Sequence, residues 1–309
     1  MLERNKELHN ATDDEVKTPS LAGTWKRKSV RMITVFLIGY GCVVTVVAVF
    51  QRRMLFIPER FPEAIAETRA REAGFVAWRN KAGGIIGWRT PARGVATGSV
   101  LIVHGNAGSA IGRDYIALPI HEAGDLDVYV MEYPGYGPRG GSPGKDSFFA
   151  AGEEAFALLP ADKPRFLVSE SLGTGVAGHL AGKYPDDVAG VVCLVPYHNL
   201  PWVAQKKMPL IPAYVLLRDR FHPAESLRNY RGPVKVVIAA QDEVIPPEAG
   251  RRLFENYDGP KEFEVIDDAQ HNEVSARPVA WWKETFAFLD KNRIVKTESP
   301  VGAQNRARQ

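Results

Sequence analysis

Apolar positions along this chain follow three patterns. The first thirty residues are polar and charged, with no sustained apolar run. Residues 32–51, from Met32 to Gln51, carry no charge at all and are apolar almost throughout. Beyond Gly98, short apolar runs recur, each ending in a Gly-rich or polar loop and followed by a helix-length stretch. These runs are Val100–Val103, Val128–Met131, Phe166–Val168, Gly190–Val195, Val234–Ile238 and Phe263–Ile266. Lacking polar alternation, they predict strands buried on both faces. Their alternation with helices predicts an α/β fold with a mostly parallel central sheet and helices on both sides. Ahead of them, Phe75–Trp78 and Ile85–Trp88 flank the turn signal Lys81-Ala82-Gly83-Gly84 and predict a hairpin.

The uncharged run predicts a transmembrane helix. Twenty helical residues span about 30 Å, the thickness of a bilayer core. The run shows no polar face, unlike a core helix of ordinary length. It also fits poorly to a cleaved signal peptide, because a long charged stretch precedes it and no small-x-small site stands before Gln51. Arg31 and Arg52 bound an uncleaved anchor over 31–52. Lys17, Lys26, Arg27, Lys28 and Arg31 precede it, against Arg52, Arg53 and Arg60 after it. That excess predicts a single-pass protein with a cytoplasmic N-terminus and its C-terminal domain on the periplasmic, extracytoplasmic side. Residues 1–30 and 293–309 read as disordered tails, leaving 53–292 as one domain.

Composition narrows the function. The 309 residues are 45% hydrophobic and 24% charged, as in an ordinary globular protein with a sizeable core. A net charge of +3 is too small to argue for a nucleic-acid partner. Cys42 lies in the apolar run and Cys193 in a strand-like run, so no disulfide is expected. No close Cys/His pairs suggest a zinc site.

In a parallel sheet, active sites form beyond the C-terminal strand ends. The run Phe166–Val168 leads into Ser169-Glu170-Ser171-Leu172-Gly173, followed by a helix rich in Gly and Ala. A serine on such a tight strand-to-helix turn projects its hydroxyl into the site, and small neighbours two residues away let strand and helix approach. Gly173 meets that need; Ser169 stands where glycine is usual, which predicts a slightly more open turn. The run Val100–Val103 ends in His104-Gly105-Asn106-Ala107-Gly108-Ser109, a loop without a phosphate-binding pattern. Backbone N–H groups of Leu172 and Asn106 are the candidate oxyanion donors. His104 precedes the serine and is expected to be structural. After Val234–Ile238 comes Asp242, and after Phe263–Ile266 comes His271 in a polar loop. Asp242 suits the acid and His271 the general base. Of the remaining histidines, His198 and His222 lie between the fifth and sixth parallel strands and could face the pocket or solvent. The order Ser171, Asp242, His271 is that expected of a nucleophile elbow with its acid and base.

The motifs His104-Gly105-Asn106-Ala107-Gly108, Tyr133-Pro134-Gly135-Tyr136-Gly137, Ser169-Glu170-Ser171-Leu172-Gly173, Gln241-Asp242-Glu243-Val244-Ile245-Pro246 and Gln270-His271-Asn272 together resemble the α/β-hydrolase superfamily. A short anchor followed by Leu55-Phe56-Ile57-Pro58 is similar to its membrane-anchored branch, related to the serine aminopeptidase-like hydrolases. The resemblance covers roughly residues 31–290 and implies the α/β-hydrolase fold. It also implies Ser171 as nucleophile, Asp242 as acid, His271 as base, and Leu172 and Asn106 at the oxyanion. Ala239-Ala240 departs from the Gly-containing pair common before the acid.

The implied chemistry is acyl transfer through a covalent intermediate, needing no cofactor. The segment at about 196–223, rich in aromatic and aliphatic residues, predicts a small cap. Its apolar side chains would line an acyl pocket, face the bilayer, or simply cover the sheet. A small-molecule or lipid ester substrate follows as an expectation. A peptidase or amidase shares the same residues, and a catalytically silent membrane-tethered binding protein is the alternative of another class.

Overall fold

A computed structural model describes residues 21–294. The expected tails at 1–20 and 295–309 lie outside the described residues. The chain divides into two compact units at Val47/Ala48. The described part of the first is helical throughout, the beginning of α1 (Leu21–Leu55). Helix α1 contains the uncharged run, and its stretch Arg27–Leu55 is long and apolar enough to cross a membrane. Residues 21–30, read from sequence as tail, are helical. Leu21, Ala22, Lys26, Arg27 and Lys28 are good helix formers, and a helix extended from an apolar run needs no new nucleus.

In the second unit, β1 (Ile57–Pro58) and α2 (Glu63–Glu72) lead to the hairpin of β2 (Val76–Arg79) and β3 (Ile85–Thr90). Asn80 shapes its turn, its Oδ1 accepting the Ala82 and Gly84 N–H groups at 3.1 and 3.0 Å. Then come β4 (Gly98–Val103), β5 (Ala107–Gly108), α3 (Asp114–Ala123), β6 (Leu126–Met131), α4 (Lys145–Ala157), β7 (Arg165–Glu170), α5 (Thr174–Lys183) and β8 (Val188–Leu194). Three short helices follow, α6 (Leu200–Lys207), α7 (Ala213–Leu216) and α8 (Pro223–Ser226), over the stretch read as a cap. The chain ends with β9 (Val234–Ala239), α9 (Pro247–Glu255), β10 (Lys261–Ile266) and α10 (Val279–Asn292).

Eight strands form one sheet in the order β10-β9-β8-β7-β4-β6-β3-β2, antiparallel only at β3/β6 and β2/β3. Each predicted apolar run is a strand of this sheet. Successive residues point to opposite faces, so each run feeds two cores. Leu101, Val103, Leu167, Val191 and Val236 pack under α4, α5 and α9. Val100, Ile102, Val168, Val192 and Val237 pack under α3 and α10 with Trp281 and Trp282. The five parallel pairings align the C-terminal ends of β4, β7, β9 and β10 on one edge of the sheet.

Helix α5 brings its glycines against the chain that leaves the cap. A Cβ at Gly178 would lie 3.0 Å from Pro223 Cβ, one at Gly175 would overlap Phe221, and one at Gly182 would overlap the Ser226 carbonyl. Gly182→Ala is therefore expected to destabilise the fold by roughly 1–3 kcal/mol despite alanine's better helix propensity, because helix and backbone must part. The check is a shifted denaturant midpoint with unchanged m value.

Candidate active site

Strand β7 hands directly into a single helical turn, Ser171–Gly173, and then α5. At this junction Ser171 takes φ +49°, a left-handed backbone that a residue with a Cβ adopts at a cost of about 1–3 kcal/mol. The turn is held from several sides. A Cβ on Gly173 would overlap the Val103 carbonyl oxygen and come within 2.9 Å of that of His104, so the elbow sits directly on the end of β4. Ser169 is fully buried, and its Oγ donates to the Val192 carbonyl at 3.2 Å, which occupies the extra atoms without opening the turn toward solvent. Tyr197 Oη donates to the Leu172 carbonyl at 3.2 Å. The chain reaches Tyr197 through Val195, whose own φ is +45° and whose N–H donates to the Val237 carbonyl at 2.8 Å.

His271 Nε2 lies 3.0 Å from Ser171 Oγ, and His271 Nδ1 lies 2.6 Å from Asp242 Oδ2. A carboxylate only accepts, so Nδ1 carries the proton and Nε2 is left to accept from the serine hydroxyl. Asp242 is fixed in turn: its Oδ1 accepts the N–H groups of Val244 and Ile245 at 2.8 and 2.7 Å, and its side chain is buried. The neighbouring Glu243 makes no such contact with His271. Sequence separations of 71 and 29 residues thus close into one line of contacts because β7, β9 and β10 run parallel. Such a line can strip a proton from Ser171 as its oxygen attacks a carbonyl.

Leu172 and Asn106, whose N–H groups were read as oxyanion donors, stand just beyond the C-terminal ends of β7 and β4. Leu172 sits in the first turn after β7, where N–H groups have no partner within the helix. The Asn106 N–H has no hydrogen-bond partner among the described residues. The Asn106 side chain is engaged elsewhere: Oδ1 accepts from Ile57 N and Tyr136 Oη at 3.2 and 3.1 Å, and Nδ2 donates to the Leu55 carbonyl. The parallel pairing of β1 with β5 grips the same loop.

A group not singled out from sequence organises this loop. Glu170, between the two elbow serines, turns its buried carboxylate toward residues 105–115. Its Oε2 accepts from Gly105 N at 3.0 Å and Arg113 Nε at 2.7 Å, and its Oε1 accepts from Tyr115 Oη at 2.7 Å. Arg113 Nη2 reaches the Ala107 carbonyl at 2.7 Å, so one guanidinium ties the elbow to the loop after β4. Burial alone would raise the Glu170 carboxyl. The Arg113 charge and the donors Tyr115 and Gly105 outweigh it and hold the group below its ordinary value. The available signal was a charged residue at the end of a fully buried strand, which demands a cation.

His104 is fully buried; its Nδ1 bonds the Gly105 carbonyl at 2.7 Å, and its ring lies 4.3 Å from that of Tyr133. It supports the loop and does not reach Ser171. His198 and His222 line a separate cavity of about 200 Å³ with Asn199 and Arg228, and burial lowers both imidazoles. Among the described residues no cluster of three or more His, Cys, Asp or Glu is placed to hold a metal ion.

No family model matches the chain. An uncharacterised Mycobacterium tuberculosis protein is 29% identical over 277 residues, covering 87% of this chain and 95% of that protein. An uncharacterised membrane protein of Saccharomyces cerevisiae is 27% identical over 169 residues, covering 52% and 59%. Human alpha/beta hydrolase domain-containing protein 17B is 25% identical over 181 residues, covering 57% and 61%. Among solved structures, an esterase of Pyrococcus furiosus superposes with a TM-score of 0.56 at 15% identity, covering 78% of this chain and 98% of that one. At that identity the likeness is one of fold.

The Glu170–Arg113 pair yields a stability prediction. Arg113→Met leaves a buried carboxylate uncompensated and is expected to cost about 3–5 kcal/mol. Because the folded-state value of Glu170 is depressed, its contribution is complete above the unfolded value of about 4.3 and is lost as pH falls through the lower folded value. Denaturant unfolding between pH 7 and pH 3 should show wild type losing stability below about pH 4 more steeply than Glu170→Gln.

Proposed function

We propose that this chain, whose fold is that of the α/β-hydrolase superfamily, is a serine hydrolase that cleaves carboxylic ester or thioester bonds at a membrane. The observation that carries the reading is the unbroken line Ser171 Oγ–His271 Nε2–His271 Nδ1–Asp242 Oδ2 at 3.0 and 2.6 Å, on a serine held in a strained backbone. The structural likeness to an esterase supports the bond type.

In the proposed mechanism, His271 Nε2 takes the Ser171 proton while Oγ attacks the acyl carbon. The carbonyl oxygen becomes an oxyanion and accepts hydrogen bonds from the N–H groups of Leu172 and Asn106. Asp242 stabilises the imidazolium and holds its orientation. The tetrahedral intermediate collapses, and the leaving alcohol or thiol departs with the proton from His271. Water, deprotonated by His271, then attacks the acyl-enzyme, and the same steps in reverse order release the acid and free Ser171. No cofactor takes part.

The membrane placement rests on the Arg27–Leu55 stretch, and a membrane-protein relative supports it. The proposed domain division keeps the anchor at 31–52, the hydrolase domain at 53–292 and a cap at about 196–223. The excess of basic residues before the span supports an extracytoplasmic hydrolase domain.

A fluorophosphonate probe should label the wild type and not Ser171→Ala. Asp242→Asn should lower kcat on p-nitrophenyl esters by about 10⁴-fold, with folding retained. No labelling of the wild type, or equal labelling of Ser171→Ala, removes the serine-hydrolase reading. Faster turnover of aminopeptidase substrates than of any ester in a graded chain-length panel removes the ester assignment alone.

The topology is checked separately. Protease added to spheroplasts is expected to digest the hydrolase domain. A domain left intact there but cleaved after lysis would place it on the cytoplasmic side.

A further inference from the structure

The last turn of α1 is joined to the cap by side chains that would otherwise face solvent. Gln51, at the end of the uncharged run, is only 7% exposed, whereas Val49 and Phe50 before it are 58% and 45% exposed. The Gln51 Nε2 donates to the Leu216 carbonyl at 3.2 Å, and its Oε1 accepts the Arg218 N–H at 2.7 Å. Arg52 then forks onto Asp219, Nε to Oδ2 at 2.7 Å and Nη2 to Oδ1 at 2.9 Å. The Asp219 side chain is almost fully buried and also accepts the Lys145 N–H at 2.8 Å. Two consecutive residues of the helix therefore fix residues 216–219 of the cap, across 165 to 167 positions of sequence.

This joint brings the residues beside it to the foot of α1. Val215 directly precedes Leu216, whose carbonyl accepts from Gln51, the last residue of the uncharged run. Val215 is 76% exposed and Tyr214 44% exposed, on a helix whose one buried residue is Ala213. Arg53 and Arg218 are exposed beside the joint, and the Arg220 guanidinium lies 5.9 Å from the Tyr214 ring. An apolar side chain, a tyrosine and several arginines at the end of a bilayer-length helix are the residue types that meet the acyl boundary, the aromatic belt and the phosphate layer.

We infer that the cap turn bearing Tyr214 and Val215 is a lipid-contacting surface, clamped to the foot of α1 by Gln51 and Arg52. The inference rests on reading α1 as a membrane span. The occupant is lipid because the turn is continuous with the end of the span and carries the charge sign that anionic headgroups attract.

The test uses the full chain in vesicles of phosphatidylcholine and phosphatidylglycerol. An environment-sensitive fluorophore is placed on Cys42 of the wild type, or on a Cys42→Ser chain at Val215→Cys or at Val95→Cys, a position 85% exposed in the loop before β4. The expected result is quenching at Cys42 by lipids bearing nitroxides deep in the acyl chain, quenching at residue 215 by shallow nitroxides, and neither at residue 95. A residue-215 label that behaves like the residue-95 label while Cys42 is quenched overturns the cap proposal and leaves the anchor standing. An unquenched Cys42 overturns both. In the Gln51→Ala, Arg52→Ala chain, shallow quenching at residue 215 should fall at least twofold with Cys42 unchanged; undiminished quenching refutes the clamp.

Discussion

The backbone of Ser171 is the constraint around which the rest of the domain is arranged. A left-handed residue with a side chain relaxes unless its surroundings forbid it. Here the forbidding contacts come from four directions. Gly173 is pressed onto the backbone at the end of β4, Ser169 bonds to β8, Tyr197 holds the Leu172 carbonyl, and Arg113 with Tyr115 fixes Glu170. Relaxing φ at residue 171 would break contacts with each of these at once. The energy of about 1–3 kcal/mol stored there is small beside the buried contacts that hold it. What it gives is a hydroxyl aimed away from the sheet, at the height where Asp242 and His271 arrive from β9 and β10.

Charge inside the domain serves placement more than stability. A buried ion pair is seldom better than a well-packed apolar substitute, since both groups lose water. Glu170 and Arg113 nonetheless join two segments that apolar contact would leave free to slide. The carboxylate takes the Gly105 N–H and the guanidinium takes the Ala107 carbonyl, so the residues on both sides of Asn106 are held. The side chain of Asn106 is held on the other side by Leu55, Ile57 and Tyr136. The Asn106 N–H is what remains unspent. An oxyanion donor must not reorganise during reaction, and this loop has little freedom to do so.

Much of this was legible in sequence because it is local. Each strand of the eight-stranded sheet announces itself as an apolar run, and Ser171, Asp242 and His271 each stand in the segment that follows one. Their order follows from the parallel topology that the alternating runs imply. What escaped is long-range and polar. Glu170 and Arg113 are 57 positions apart, Gln51 and Leu216 are 165 apart, and neither pair has a spacing that marks it. Ser169 is a milder case: its hydroxyl bonds the neighbouring strand, a contact its place in the elbow did not announce. The helix beginning at Leu21 shows the opposite bias: charge composition read as tail what an adjoining apolar helix extends.

The small residues of α5 connect the elbow to the cap. Phe221 and Pro223, which leave the cap, seat against Gly175 and Gly178 on the helix that the elbow starts. The Leu200 N–H donates to the Phe221 carbonyl at 3.0 Å and closes the base of the cap. Two residues before Phe221, Asp219 is held by Arg52. The C-terminal end of the cap segment is thus fastened both to the foot of α1 and to the helix that follows Ser171. Five residues of chain, 219–223, carry both attachments. A displacement of the foot of α1 relative to the sheet must therefore be absorbed in the cap or passed to the start of α5, because close-packed contacts transmit strain.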